Sequence, residues 1–432
     1  MNSKLENCYL MIKSFWQRLG PGILLAATSI GASHLVLSPQ AGALFGYQLL
    51  WLILASHLFK YPAFEFGPRY AAATGKSLLA GYLRVPGPRG WALYLFLLST
   101  VLQGIGVLAG VVSVSGCVLS SWTGALSTEW FSLILIGVVV SLLFAGGFSW
   151  LDNINKVMIA ILALATLVAF IPACPSPANL AHLFIPVLPA GSIVLVAAIL
   201  GWMPTGIDVS IWHSFWTIEK LKRLGECHDD GDLQGCRRQL GISLVDMRVG
   251  YLLSLLTGIM FVCMGAAQLA GRGADLKGIQ FAEALSSVYT SIMGRWMFHV
   301  FMLTAFFAMF STTYTVIDGF SRSFSEALAT LRAGLATRKM RRLTYTGFVI
   351  CSSLLASGTI LLVGNPVTLV TAVALISLGA APVLYGLNLY CVHKHIKLPA
   401  LRPARITLIV GWLGSALMLL ALVVTIYVKL IR

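Results

Sequence analysis

The sequence predicts an all-α integral membrane protein with eleven transmembrane helices, ten of them arranged as two inverted repeats of five. Three observations predict this fold class. Of the 432 residues, 58% are hydrophobic and only 10% are charged, which is typical of membrane proteins. Eleven apolar runs are long enough to span a bilayer. The first and sixth runs each lose their helical character near the middle, at corresponding positions.

The eleven predicted helices, α1 to α11, each contain about 20 mostly apolar residues, which is the length that the hydrocarbon core requires. Residues 1–19 precede them as a cytoplasmic segment whose charges and short apolar run do not fit a cleavable signal peptide. The predicted core is 20–392, with repeats at about 20–172 and 191–392, and 393–432 form a loop and α11. The helices are predicted at about 20–38, 46–68, 91–118, 131–148, 157–172, 191–215, 247–270, 293–317, 345–363, 368–392 and 406–428.

The basic residues indicate how the chain is oriented in the membrane. With the N-terminus inside, 24 of the 30 Lys and Arg residues fall on the cytoplasmic side and five on the outer side. This bias predicts a cytoplasmic N-terminus and an outer C-terminus in the plasma (inner) membrane. The net charge of +15 therefore reflects topology and lipid head groups, including the run Arg338–Arg342, and not nucleic-acid binding.

The predicted α1 contains residues that weaken a helix. Thr28, Ser29, Gly31, Ser33, His34, Ser38 and Pro39 fall within twelve residues. A broken backbone at membrane depth is tolerated only where it is buried in protein or lines a watery cavity. We therefore expect a substrate site at this interruption.

The predicted α6 has a matching interruption. Gly201, Pro204, Thr205 and Gly206 lie mid-span, at the place that corresponds to Gly31. Because helices 1–5 and 6–10 form halves of odd helix number, equivalent helices run in opposite directions. Paired interruptions in such halves indicate the binding site of a transporter.

These residues resemble the Nramp family of divalent-metal transporters. The likeness is specific in GPG at Gly20–Gly22 and in QAGALFGYQLLW at Gln40–Trp51. Met203-Pro204 resembles the start of the family's Met-Pro-His motif, Ser311–Thr315 its helix 8, and Arg341-Arg342 the paired arginines that enter its helix 9. The resemblance covers about 20–428. It implies the LeuT-like five-plus-five fold, a monomer, and inward symport of a divalent metal, usually with protons.

The sequence departs from the family in the residues that bind metal and move protons. Where the family has Asp-Pro-Gly-Asn in helix 1, this chain has Gly31–His34, so the carboxylate is absent and His34 takes the place of the Asn. Thr205 replaces the family's His in helix 6. The segment Ser99–Gly104 lacks the acids of the family's proton path. We therefore expect proton coupling to be weak or absent.

The side chains that remain near the two interruptions predict a mixed site, with oxygen, nitrogen and sulfur atoms as metal ligands. Asp208 is an acid inside a spanning segment, which is costly and usually faces a cavity or a partner. Asp208, His34 and Met203 are the candidate metal ligands, and Gly31, Ser33 and Thr205 complete the candidate substrate-binding residues. The structural alternatives are a helix cap for Asp208, a carbonyl hydrogen bond for His34 and apolar packing for Met203.

A second polar strip lies in the predicted α2. His57 and Lys60 are three residues apart and share a helix face, whereas Glu65 is only loosely aligned with them. We interpret the strip as a structural ion pair or a snorkelling lysine, with gating or a proton path as the alternative.

The cysteines do not indicate a metal centre. No two of the eight form a CxxC pair. Cys227 and Cys236 bracket His228, Asp229 and Asp230, but the spacing matches no established zinc pattern, so a solvated loop is the favoured interpretation.

The favoured function is secondary transport by alternating access, with a divalent cation of the Mn/Fe/Mg class as substrate. A small carboxylate or amino acid is the alternative, because the N-termini of half-helices suit anions where no carboxylate occupies them. A membrane sensor or an intramembrane enzyme is disfavoured, since the sequence has no paired Asp, no GxS elbow and no HExxH, and no P-loop appears either. The expected partners are the lipid bilayer and a small ion or solute. No cofactor is expected.

Overall fold

The computed structural model describes residues 21–146, 148–223, 232–271 and 279–431. Within these ranges the regular structure is entirely helical. Eight of the helical segments are long and apolar enough to cross a membrane, and two shorter apolar helices accompany them. The N-terminal segment and the proposed loop around Cys227 and His228 lie outside the described residues.

Every predicted transmembrane helix corresponds to helix in the structure, so the all-α membrane fold is confirmed. Helices α3, α7 and α8 contain 33 to 36 residues and exceed the thickness of the hydrocarbon core. The helices are α1a Pro21–Ser29, α1b Ser38–Phe45, α2 Leu50–Thr74, α3 Trp91–Thr123, α4 Thr128–Ala145, α5 Phe148–Phe170, α6a Ile193–Trp202, α6b Val209–Arg223, α7 Leu233–Gln268, α8 Met297–Leu331, α9 Arg338–Val363, α10 Pro366–His395 and α11 Arg405–Ile431.

Among the described residues, three further α-helices were not predicted. Leu78–Tyr82 lies between α2 and α3, Pro177–Leu180 lies between α5 and α6a, and Ile279–Met293 lies between α7 and α8. All three are too short to span a bilayer, so a search for long apolar runs does not detect them.

Helix α1 is interrupted less severely than the sequence suggests. A turn at Ile30–Gly31 separates α1a from a π-helical segment, Ser33–Leu37, that continues into α1b. Pro39 has no N–H to give to the carbonyl of Leu35, and the N–H of Ser38 bonds instead to the carbonyl of Ser33, five residues back. The proline therefore widens the helix and does not end it.

Helix α6 is fully broken. Its first half ends at Trp202 and its second half begins at Val209, with no regular helix between them. Met203 is extended, as expected for a residue that precedes proline. The matching interruptions predicted from the sequence are thus present, with the larger break in α6.

The helices pack as two groups. Helix α7 contacts α2 and both halves of α1, and α6b contacts α2 and α1a. Helices α3, α4, α8 and α9 all contact one another. Helix α10 lies against α3 and α6a, and α11 packs on α10 and α2. We call the first group the bundle and the second group the scaffold, since the candidate site lies between them.

Small residues let the two halves of α1 approach α7 closely. A Cβ on Gly22 would lie 1.8 Å from the carbonyl oxygen of Asp246, and one on Gly250 would lie 1.9 Å from the carbonyl oxygen of Gly22. The same holds at Gly42 of α1b and at Gly265 near the C-terminal end of α7. Reciprocal glycines are typical of tightly packed membrane helices, and they hold both halves of α1 against one long helix.

Candidate substrate site

A small cavity, with about 30 Å³ of space open to a water molecule, lies between the bundle and the scaffold, at the level of both helix interruptions. The bundle contributes Thr28, Ala32 and Ser33 from α1 and the segment around the break from α6. The scaffold contributes apolar residues of α3 and, from α8, Thr312, Val316 and Phe320. A cavity bounded by two groups of helices can open to either side as one group moves against the other.

Asp208 is the carboxylate on the wall of this cavity. It is buried and directly precedes the first residue of α6b, where its carbonyl accepts the N–H of Ile211 at 2.9 Å. A negative charge here is stabilised by the positive end of the α6b dipole. A Cβ on Gly206 would lie 2.3 Å from Asp208 Oδ1, so the glycine leaves the space that the carboxylate needs. Asp208 therefore combines the position of a helix cap with access to the cavity.

Lys60 of α2 binds the α6 break from the other side. Its fully buried ammonium group donates to the carbonyl of Gly201 at 2.9 Å and to that of Thr205 at 3.2 Å. These carbonyls lie at the end of α6a and in the break, where helical N–H partners are missing. Lys60 also interacts electrostatically with Asp208. It is thus a tethered cation beside the carboxylate, and not a residue that snorkels to the membrane surface.

His34 and Met203 point away from the cavity, towards α7. His34 Nε2 lies 2.9 Å from the carbonyl oxygen of Ser254 and its Nδ1 lies 3.0 Å from Ser33 Oγ, so both ring nitrogens are hydrogen-bonded. The methyl group of Met203 and His34 Nε2 both lie close to Gly258 of α7. The structure brings His34 and Met203 together and separates them from the cavity wall that carries Asp208.

Ser33 lies between the cavity and the contacts that His34 makes with α7. It lines the cavity, while its hydroxyl lies 3.3 Å from the carbonyl oxygen of Pro204 and 2.9 Å from that of Ser29. Thr205 also lines the cavity, on the α6 side. Both hydroxyl residues predicted for the site are therefore at the cavity, one from each interrupted helix.

Gly31 faces α8 across a narrow gap. A Cβ on Gly31 would lie 3.0 Å from Thr312 Oγ1 and 3.2 Å from Thr312 Cγ2. The Thr312 hydroxyl donates to the carbonyl of Ala27, near the end of α1a. A side chain at position 31 would therefore require Thr312 to shift by a few tenths of an ångström.

The other two residues of the polar strip in α2, Glu65 and His57, make separate contacts. Glu65 pairs with Arg69 at 2.7 Å, and Arg69 also donates to the carbonyl of Leu401. His57 places Nδ1 2.9 Å from the carbonyl oxygen of Ile53 and Nε2 3.1 Å from Ser254 Oγ. Ser254 therefore lies between His57 and His34. Glu65 is part of a structural ion pair, with Arg69 and not Lys60 as its partner.

Sequence reasoning missed a buried polar network behind the α6 break. Ser377 of α10 donates to Gln103 Oε1 at 2.7 Å, and that oxygen lies close to Gly206. Asn388 donates to Ser210 of α6b and accepts from Tyr82, both at 2.7 Å. An isolated polar residue in an apolar run gives no indication of which helix it will face, so the sequence offered no signal for these contacts.

The side-chain atoms in the cavity lining that could bind a metal ion are oxygens. They are one carboxylate, Asp208, and the hydroxyls of Thr28, Ser33, Thr205 and Thr312. Within the described part of the chain, no group of three or more His, Cys, Asp or Glu residues could hold a metal ion. A cation in this cavity would therefore be bound by a few oxygens and would keep some of its water.

A comparison with known proteins identifies the family. The model of the natural resistance-associated macrophage protein-like (Nramp) family matches residues 22–428. The chain belongs to the Nramp family. An uncharacterized protein of Pasteurella multocida is 32% identical over 408 residues, which cover 88% of this chain and 87% of that protein. The divalent metal cation transporter MntH of Caldanaerobacter subterraneus is 23% identical, with 71% of this chain and 72% of that protein covered.

Solved structures share the fold. A mutant of the manganese transporter of Eremococcus coleocola matches with a TM-score of 0.70 at 14% identity, covering 96% of this chain and 86% of that one. The nucleobase-cation-symport-1 family transporter Mhp1 matches with a TM-score of 0.56 at 17% identity, over 95% and 92% of the two chains. This Nramp protein therefore has the LeuT-like fold.

Proposed function

We propose that this Nramp protein is a secondary transporter that carries a divalent metal ion across the membrane by alternating access. The observation that carries the proposal is the buried carboxylate of Asp208 on the wall of a cavity between two interrupted helices. Family membership and the names of its relatives, which include divalent metal cation transporters, support the same substrate class. The bundle would move against the scaffold to expose the cavity to either side.

We propose that four of the side chains that line the cavity bind the ion. Asp208 supplies the charge, and the hydroxyls of Ser33, Thr205 and Thr312 and nearby backbone carbonyls supply further oxygens. The imidazole of His34 and the thioether of Met203 would reach the ion only after a rearrangement of α1 or α6. Oxygen ligands suit hard cations such as Mn²⁺ and Mg²⁺. With one carboxylate and the Lys60 ammonium group beside it, we expect weak binding.

The substitution Asp208→Asn tests the assignment. It keeps the shape of the side chain and removes its charge, so the heat of manganese or magnesium binding in calorimetry should disappear. Asp318→Asn is the matched control, because Asp318 pairs with Arg322 at 2.7 Å and does not line the cavity. Unchanged binding heats in Asp208→Asn would remove Asp208 from the site. Uptake of labelled metal into proteoliposomes tests transport itself, and an absence of flux of any solute would contradict it.

A small organic anion is the second candidate, and two observations favour it. The indole N–H of Trp212 is buried without a hydrogen-bond partner in the described structure, on a residue that lines the cavity, and Lys60 provides a positive charge close by. Lys60→Met should discriminate between the substrates. Removal of the ammonium group should strengthen the binding of a cation and weaken that of a carboxylate, which calorimetry with manganese and with a small carboxylic acid would measure.

We further propose that the protein acts as a monomer in the plasma (inner) membrane. Its N-terminus would be cytoplasmic and its C-terminus outside, as the distribution of basic residues predicts. Its role is transport and not catalysis, and the metal ion is its cargo and not a cofactor.

A further inference from the structure

The break in α6 contains two carbonyl groups that the helix itself leaves without partners. In a continuous helix the Gly201 carbonyl would accept the N–H of Thr205, and the Thr205 carbonyl would accept that of Val209. Here α6a has already ended, and the N–H of Val209 bonds to the carbonyl of Gly206 at 3.2 Å. The two carbonyls instead converge on one atom, because Lys60 Nζ lies 2.9 Å from the first and 3.2 Å from the second.

The position that Lys60 Nζ occupies is electrostatically negative. Gly201 lies in the last turn of α6a, where the helix dipole places partial negative charge. Asp208 adds a carboxylate that interacts with the ammonium group. Lys60 and Asp208 are both buried, so salt screens their charges little. In membrane transporters, oxygens of unwound backbone and of half-helix C-termini bind coupling ions such as Na⁺. The position therefore favours a cation.

Lys60 supplies a cation that cannot dissociate. Its side chain extends from α2, which packs along α6b, so the ammonium group is attached to a neighbouring helix. The backbone at Gly201 is fixed as well, because a Cβ there would lie 2.1 Å from the carbonyl oxygen of Ala374 in α10. Alkali ions bind backbone carbonyl oxygens of the same kind. An ammonium group and an alkali ion are thus alternative occupants of one position.

We propose that the α6 break contains a monovalent-cation site that the ammonium group of Lys60 occupies permanently. Its oxygens are the carbonyls of Gly201 and Thr205 and the nearby carboxylate of Asp208. The lysine replaces a coupling ion: it holds the break in shape, and no Na⁺ or K⁺ binds or travels at this position. When the lysine is shortened, the site takes an alkali ion or an alkylammonium ion.

The fixed cation also lowers the affinity of the cavity for a positively charged cargo. Asp208 lines the cavity, and Lys60 interacts with it from α2. A metal ion must therefore share the carboxylate with a charge that stays in place, and the two cations repel each other. A dissociable co-ion could leave and relieve this repulsion, whereas Lys60 cannot. This consequence rests on the proposed function, but the cation site itself does not.

Chemical rescue of Lys60→Ala tests the site. The substitution removes a segment with the length of the n-propylammonium ion. In choline chloride the variant should unfold several degrees below wild type, because two buried carbonyls lose their donor. Propylammonium chloride at the same ionic strength should restore the unfolding temperature saturably, and NaCl or KCl should restore it in part. The wild-type protein should unfold at the same temperature in all four salts.

Four controls distinguish a cation site from an empty space. Lys60→Met fills the space with an uncharged side chain of similar length, so propylammonium should not restore its stability. Lys76→Ala removes an exposed lysine just after α2 and should respond to none of the salts. The alcohol 1-propanol has the length of propylammonium without its charge, and n-pentylammonium is too long for the space. Neither compound should restore Lys60→Ala.

Calorimetry with manganese measures the effect on the cargo. In choline chloride, Lys60→Ala should bind Mn²⁺ more tightly than wild type by about tenfold or more, since the repelling charge is absent. Saturating propylammonium should return the affinity to the wild-type value. The unfolding measurements need no metal, so the two proposals can fail separately. Rescued stability without any heat of Mn²⁺ binding would support the cation site and contradict metal transport.

Two results would overturn the proposal. One is an unfolding temperature of Lys60→Ala that is the same in choline and propylammonium chloride, which would show that water satisfies the two carbonyls. The other is an equal response of wild type and Lys60→Ala to propylammonium, which would place the effect elsewhere. If Lys60→Ala does not fold in choline chloride, the yield of folded protein in propylammonium, measured by size-exclusion chromatography, replaces the unfolding temperature. Failure to fold in both salts would contradict the proposal.

Discussion

Gly31 illustrates how one residue changes the chemistry of the substrate site. The family pattern puts a carboxylate at this position, whereas here Thr312 of α8 fills the adjacent space. The negative charge of the cavity comes instead from Asp208, on the opposite interrupted helix. In this chain the carboxylate at the cavity therefore belongs to α6 and not to α1, and Thr312 packs against the α1 position.

Restoring the carboxylate to α1 should succeed only if Thr312 is also changed. Gly31→Asp alone puts its Cβ about 3 Å from the Thr312 side chain, so we expect overpacking that lowers stability by about 1–3 kcal/mol. In Gly31→Asp/Thr312→Ala the clash is relieved, and a second carboxylate near Asp208 should strengthen manganese binding. Thermal unfolding in detergent and calorimetry would measure both effects. Equal manganese affinity in the double variant and in Thr312→Ala would contradict the expectation.

At the residue scale the sequence predicts which residues lie near the site better than it predicts where they point. Adjacent helical residues diverge by about 100°, so Ser33 can line the cavity while His34 faces α7. The π-helical segment alters this angle further, and no sequence pattern reports its extent. The placement of Met203 against α7 likewise depends on tertiary packing around the α6 break.

At the scale of single elements, the two interruptions were predictable because their causes are local. Proline and glycine remove or weaken helical hydrogen bonds wherever they occur, as Pro204 and Gly206 do in α6. The degree of interruption was not predictable, because Lys60 from a distant part of the sequence supplies donors to the free carbonyls of Gly201 and Thr205. A fully broken α6 is stable in the membrane partly through this contact.

The contact of α1a with α7 leads to a prediction for two glycines of α7. A side chain on Gly250 would collide with the backbone of Gly22, whereas Gly241 has open space around it. Gly250→Leu should therefore separate the helices, lower the unfolding temperature and reduce substrate uptake, while Gly241→Leu should leave both near wild type. Backbone collisions of this kind cost about 1–3 kcal/mol or more. Equal behaviour of the two variants in thermal unfolding would show that this close approach does not matter for stability.

At the scale of the whole molecule, the all-helical membrane class was predictable because a bilayer imposes a length and an apolar composition on each spanning helix. The division into a bundle and a scaffold follows from contacts between helices far apart in the sequence, such as α3 with α8. Hydropathy carries no information on such contacts.

The orientation of the molecule in the membrane can be tested at a natural cysteine. Cys174 is exposed between α5 and α6a, which the distribution of basic residues places outside the cell. A membrane-impermeant maleimide should therefore label Cys174 in intact cells, and Cys174→Ser should abolish that labelling. A cysteine introduced by Ala336→Cys, between α8 and α9, should react only after the membrane is permeabilised. The reverse pattern would place the basic loops outside and would contradict the predicted orientation.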